Sequence, residues 1–289
     1  MSQLSESKRL AVFCDFENVA LGVRDAHYEK FDASKVLERL LLKGSIVVKK
    51  AYCDWERYKE FRAAMHEAAF ELIEIPHVRQ AGKNSADIRM VVDALDLCYT
   101  KSHVDTFVII SGDSDFSPLV SKLRENNKFV IGVGVKNSSS DLLVANCDEF
   151  IYYDDLVRKK KPRRPSAKKT TARPGAPAAS KTAKSSPKGA ADKKADKEDA
   201  EQEKRLQEAL DLLMGTLAAL AEERGAEEKI WGSMVKQTLK RRRPDFNESY
   251  YGFRSFNRLL EEAASHGLLE LELDEKSGGY IIRGFHPDD

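Results

Sequence analysis

Cysteine is scarce and scattered: Cys14, Cys53, Cys98 and Cys147 are the only four, with no CxxC pair and no neighbouring histidine pair. That spacing excludes a disulfide scaffold and a zinc site, and the thiols read as reduced core residues of a cytosolic protein. Long apolar runs are missing too. No stretch approaches membrane-spanning length, and the N-terminal LAVFC is followed at once by Asp, Glu and Asn instead of continuing as a signal peptide. The expected location is the cytoplasm, with no membrane partner. No GxGxxG or GxxxxGK loop follows a strand-like run, which removes the main support for a dinucleotide or P-loop site; GVGV, 132 to 135, lies inside a strand pattern. The six histidines are scattered, and none is placed beside a Ser or Cys in a way that suggests nucleophilic catalysis.

What is present is unevenly charged. The 289 residues carry a formal net charge of +1, yet residues 1–157 hold 20 Lys/Arg against 25 Asp/Glu, 158–197 hold 15 against 2, and 198–289 hold 13 against 20. Two mildly acidic blocks therefore flank a segment of net +13, an asymmetry that points to nucleic acid as a partner more than to an acidic small ligand. Residues 158–200 consist mostly of Lys, Ala, Pro and Ser with almost no large apolar side chain, so they read as a disordered basic linker.

Ahead of that linker, residues 8–157 alternate strand and helix signals. Strand-like runs are LAVFC, SIVVKKAYC (45–53), ELIEIP (71–76), TFVII (106–110), KFVIGVGV (128–135) and EFIYY (149–153). Between them, SKVLERLLLK, WERYKEFRAAMHEAA, SADIRMVVDALDLCYT and FSPLVSKLRENN carry helical spacing. This alternation predicts an α/β domain built on a parallel sheet with helices on both faces. Beyond the linker, residues 201–285 read as a second domain. A helix with Leu206, Leu210, Leu213, Leu217 and Leu220 on one stripe comes first, and that stripe could support a homo-oligomer or a helical partner protein. A helix over IWGSMVKQTLKRRRPDF follows, then one over SYYGFRSFNRLLEEAASHG, and LLELELDEKSGGYIIRG alternates around a Gly-Gly turn as a β-hairpin. Three helices and a hairpin outline a winged helix.

Within the first domain the carboxylates stand out. Asp15 follows the buried run Leu10–Cys14, with Asn18 just beyond, and Asp113 and Asp115 follow the buried run Thr106–Ile110. Asp87 lies near the start of a helix capped by Asn84 or Ser85, turned away from an apolar stripe of Ile88, Val91, Val92 and Leu95. In an open parallel sheet the strand ends line the edge where ligands bind, so four carboxylates could converge there from three segments. Hard oxygen donors of this kind suit Mg²⁺ or Mn²⁺ and the hydrolysis of phosphodiesters. Each acid also has a plainer role: Asp115 as a helix cap, Asp113 in the turn after its strand, Asp87 as a first-turn acid favoured by the helix dipole. A joint role is the better account of acids after two buried strands together with GDSD.

DFEN (15–18), KNSADIRMVVDAL (83–95) and SGDSDFSPLV (111–120) resemble, in order, the three motifs of the NYN family, relatives of PIN-like ribonucleases. The resemblance covers about the first half of the chain. It implies a PIN-like fold and a metal-dependent endoribonuclease, with Asp15, Asp87, Asp113 and Asp115 holding Mg²⁺ or Mn²⁺ and Asn18 as a polar support. Asp93, about 240° around the helix from Asp87, is expected to be structural. GSMVKQTLKRRRPDFNESYYGFRSFNRLLEEA with the following hairpin is similar to the OST-HTH or LOTUS domain, a winged-helix-like family associated with RNA binding.

RNA contacts are expected from Lys240, Arg241, Arg242, Arg243, Tyr250 and Arg254 in the second domain, and from Arg79, Lys83 and Lys136 beside the carboxylates. Trp55 is expected to pack on the sheet. The whole reads as a ribonuclease with a tethered RNA-binding domain. Two rivals are an RNA-binding adaptor with a silent nuclease fold and a small-molecule phosphohydrolase using the same acids.

Overall fold

The computed structural model describes residues 8–75, 85–158, 192–224, 229–275 and 277–285. The first unit runs β1 (Lys8–Asp15), α1 (Phe16–Asp25), α2 (Ala33–Leu41), β2 (Gly44–Cys53), α3 (Lys59–Glu67), β3 (Glu71–Glu74), α4 (Ser85–Thr100), β4 (Thr106–Ile110), α5 (Ser117–Glu125), β5 (Phe129–Gly134), α6 (Asp141–Asn146), β6 (Glu149–Tyr152) and α7 (Tyr153–Val157). All six strands pair in parallel, in the order β3-β2-β1-β4-β5-β6. The predicted α/β architecture is the observed one.

Side-chain alternation along β1 explains the layering. Leu10, Val12 and Cys14 face a core that includes Val19, Val23, Val36 and Leu40, while Ala11 and Phe13 face Met90, Ala94, Leu119 and Val120. β4 is buried along its whole length, as a central parallel strand between two helical layers must be. Tyr52 donates its hydroxyl to Asp93 at 2.9 Å, and Lys50 and Arg89 lie beside the same carboxylate, so Asp93 is structural as expected.

Three local expectations change. The segment FENVALGVRD, left without an element, is α1: Asp15 leaves β1 and caps it, accepting from the Asn18 amide. The helix expected from Trp55 starts at Lys59; Trp55 itself is buried against Phe16 and donates Nε1–H to the Ile73 carbonyl. On α4, Ile88 and Val92 are 64% and 56% exposed, because the helix seats Met90, Ala94 and Cys98 on the sheet instead. Asn84, offered as its cap, lies outside the described residues, as does the tail of the run drawn as ELIEIP.

The second unit contains α8 (Asp192–Arg224), β7 (Ile230–Trp231), α9 (Gly232–Arg242), α10 (Phe256–Ser265), β8 (Leu269–Leu273) and β9 (Tyr280–Phe285). Its three strands pair antiparallel in the order β7-β9-β8. α8 begins inside the stretch that composition assigned to the linker, and residues 159–191 lie outside the described residues. Leu210, Leu213, Leu217 and Leu220 are buried against Val235, Leu239 and Leu260. These four leucines therefore close the core of their own unit. The third helix starts at Phe256, later than expected, because Ser255 caps it and residues 249–254 form turns.

The two units meet at the edge strand β6. The Phe150 amide donates to the Pro244 carbonyl at 2.9 Å, Asn247 Nδ2 donates to Asp155 at 3.1 Å, and Lys136 Nζ donates to the Tyr250 hydroxyl at 2.9 Å. A sheet edge that would expose unpaired amides is thereby covered by the loop between α9 and α10.

Candidate functional site

The strand order reverses its direction of growth between β1 and β4: β2 and β3 add on one side, β5 and β6 on the other. Helices leave opposite faces of the sheet at such a point, so a crevice opens outside the carboxyl ends of the two strands. Asp15 is the last residue of β1, and Ser111, Gly112 and Asp113 follow β4 directly.

A short hydrogen-bond chain fixes these residues. The buried Ser111 hydroxyl donates to Asp15 Oδ2 at 3.0 Å and accepts from the Asp113 amide at 3.2 Å. Asn18, in the first turn of α1, accepts the Gly112 amide on Oδ1 at 2.9 Å. Asp113 accepts from the Asp115 amide at 3.0 Å and so caps the 3-10 turn Ser114–Phe116 that leads into α5. Asp113 thus fills the turn role anticipated for it, whereas α5 has no side-chain cap and Asp115 is exposed within the turn. Gly112 has no alternative residue: a Cβ there would lie 2.3 Å from the Ser138 carbonyl oxygen.

Electrostatics show which acids share the crevice. Asp15, 7% exposed, has its pKa pushed up to about 7, first by burial, then by the Asp87 charge, with a further contribution from Asp113. Hydrogen bonds from Ser111 and the Asn18 amide pull the other way. Asp87, in the first turn of α4, is raised by burial and by the charges of Asp113, Asp115 and Glu17. Four expected carboxylates therefore feel one another across three segments, which is repulsive unless a cation or a proton offsets it. Among the described residues no three His, Cys, Asp or Glu side chains close around a common point as a finished ligand shell. The donor set is nonetheless all-oxygen and anionic, which fits a hard divalent ion completed by water and substrate phosphate.

Three contributors were missed. Glu17 lies within DFEN and lends its charge to Asp87's surroundings, while pairing with Arg57 Nη1 at 3.2 Å. Ser111 carries no motif signal beyond standing between β4 and GDSD. Arg57 comes from the turn after β2 and is brought to the rim only by folding.

The expected RNA-contact residues are dispersed. Arg79 and Lys83 lie outside the described residues. Lys136 follows β5 on the carboxylate edge, but its ammonium rests 4.3 Å from the Tyr250 ring centroid, so these two are spent on each other. Arg242 donates to the Gly215 carbonyl and Arg243 pairs with Asp245. Arg241 and Arg254 are exposed, and Lys240 is half-buried at the end of α9.

The sequence profile of the NYN domain matches residues 9–154. The chain is 26% identical over 156 residues to a protein of Xenopus tropicalis called meiosis regulator and mRNA stability factor 1, covering 54% of this chain and 9% of that protein. It is 28% identical over 137 residues to an uncharacterised protein of Methanocaldococcus jannaschii, covering 45% and 54% respectively. The chain thus spans about half of one relative and a small part of the other. A protein of unknown function from Vibrio parahaemolyticus superposes with a TM-score of 0.48 at 26% identity, over 54% of this chain and 98% of its own. No helix among the described residues is long and apolar enough to cross a membrane.

Proposed function

The chain belongs to the NYN domain family, and from that membership and the acidic crevice we propose that it is a divalent-metal-dependent endoribonuclease. The carrying observation is the meeting of Asp15, Asp87 and Asp113, from three separate segments, at the switch point of a parallel sheet. Asp15, Asp87, Asp113 and the more exposed Asp115 would hold Mg²⁺ or Mn²⁺. Held there, such an ion would supply Lewis acidity and would help activate water for attack on the phosphodiester.

The chain's own residues do the positioning. Ser111 orients the Asp15 carboxylate and, through the Asp113 amide, ties it to the GDSD turn. Asn18 holds the Gly112 amide and thereby locks the β4 loop to α1. Arg57, paired with Glu17 at the rim, would contact a substrate phosphate.

The second unit, a helical core with a β-hairpin, would be the OST-HTH or LOTUS-type winged helix, with Lys240–Arg243 and Arg254 toward RNA and the basic segment 158–197 adding salt-sensitive phosphate contacts. The vertebrate relative named for mRNA stability is consistent with an RNA substrate. The adaptor reading is favoured by one observation, the lack of a closed ligand shell among the described residues. A circular RNA incubated with the protein in Mn²⁺ decides between them. Linear product that EDTA abolishes is expected, and intact circles under every ion overturn the nuclease reading.

A further inference from the structure

A groove of about 740 Å³ runs between α4, α5 and α6 and opens at Asp87 and Asp115. Its walls include Ile88, Val92 and Leu142, which are 64%, 56% and 57% exposed. Large apolar side chains in continuous exposure beside two carboxylates are not explained by packing, since α4 seats its other face on the sheet. In the same wall Ser117 is 6% exposed, and its hydroxyl has no hydrogen-bond partner. A buried hydroxyl without a partner is unfavourable, and here the groove is where a partner could come from.

We infer that this groove is the subsite for an unpaired nucleobase of the RNA substrate, adjoining the phosphate that lies at the carboxylates. The inference rests on the ribonuclease reading. Apolar walls bury the face of a base, as pockets that hold extruded bases do, and the Ser117 hydroxyl meets a polar group on its edge. The volume falls in the range of ligand pockets. Continuity with the carboxylates sets the occupant: a phosphate at Asp87 and Asp115 leaves its own nucleoside within reach of Ile88 and Val92. A paired base cannot enter, so the substrate is single-stranded or looped at the point of cleavage.

The test uses the full-length protein and single-stranded RNA oligomers carrying 2-aminopurine, in Ca²⁺, with fluorescence as the readout. Binding should change the probe's emission in the wild type. Ile88→Ala with Val92→Ala should abolish that change and weaken binding about tenfold, with the salt dependence of binding unaltered. Both side chains are exposed, so the fold should hold; Leu142→Ala, on the opposite wall, should act in the same direction. Ser117→Ala should alter the ranking of oligomers that differ only in the probed base.

Binding with no change in emission, or a change equal in wild type and variants, overturns the subsite and leaves the nuclease reading standing. A variant-sensitive change without cleavage in Mn²⁺ keeps the subsite and sinks the nuclease. If the substitutions instead alter sedimentation and leave the emission change intact, the groove is a protein contact and the inference is wrong.

Discussion

Asn18 Oδ1 accepts the Gly112 amide at 2.9 Å, joining the first turn of α1 to the residue that follows Ser111 after β4. Two motifs 94 positions apart are thereby one structure. Asn18→Ala leaves the Gly112 amide without its acceptor, at a cost of about 1–3 kcal/mol. Thermal or urea unfolding should show that loss. RNA cleavage should fall further than stability does, and Asn18→Asp should restore the acceptor and much of the stability.

Asp15 gives a pH signature in the metal-free protein. Burial and the neighbouring acids push its pKa up to about 7 in the folded state from the ordinary 3.8 of an aspartate, so between those values the native state binds more protons than the unfolded chain. Stability contributed at this residue is therefore present at low pH, falls as pH rises from about 4 to about 7, and is flat above. Asp15→Asn removes the penalty of the buried charge. It should stabilise the protein by up to about 4 kcal/mol at pH 8, less whatever the lost Ser111 hydrogen bond costs, and hardly at all at pH 4, measured by chemical denaturation at both. Equal effects at the two pH values would contradict the assignment.

Gly112 is held by space, not by backbone strain. Gly112→Ala sets a Cβ against the Ser138 carbonyl oxygen and the adjoining Ser138–Ser139 main chain, with no rotamer to move. A loss of about 2–3 kcal/mol is expected. Ser138→Gly should not rescue it, because the clash is with the backbone.

Lys136 and Tyr250 join the two units, and a half-exposed cation–π contact of this kind is worth about 1 kcal/mol. Tyr250→Ala should shift the docked population about fivefold toward separation, read as an increased radius of gyration in small-angle scattering. Adding Asn247→Ala should increase it again, since Asn247 bonds Asp155 across the same boundary. An unchanged radius in both variants would show that the contact does not hold the units together.

The sequence made some of this plain and hid the rest for physical reasons. TFVII announces a central strand because both of its faces are covered, so apolar continuity and architecture coincide. The acids were legible because they follow such strands. α1 was not, since its start depends on Asp15 serving as both strand end and helix cap. By spacing the apolar side chains of α4 form one stripe, yet the helix turns Ile88 and Val92 outward. Spacing gives a period; the facing surface decides which phase of it is buried. Nothing local in KNSSS or NESYY foretold that Lys136 and Tyr250 would meet, because that contact exists only after two separate units have folded.

The central claim is that carboxylates from three segments act as one divalent-ion site, and calorimetric titration of Mn²⁺ into the wild type, Asp15→Asn, Asp87→Asn and Asp113→Asn tests it most directly. The account predicts saturable binding to the wild type and at least tenfold weaker binding in each variant. Binding of equal strength in all four proteins, or none in the wild type at millimolar Mn²⁺, would contradict it.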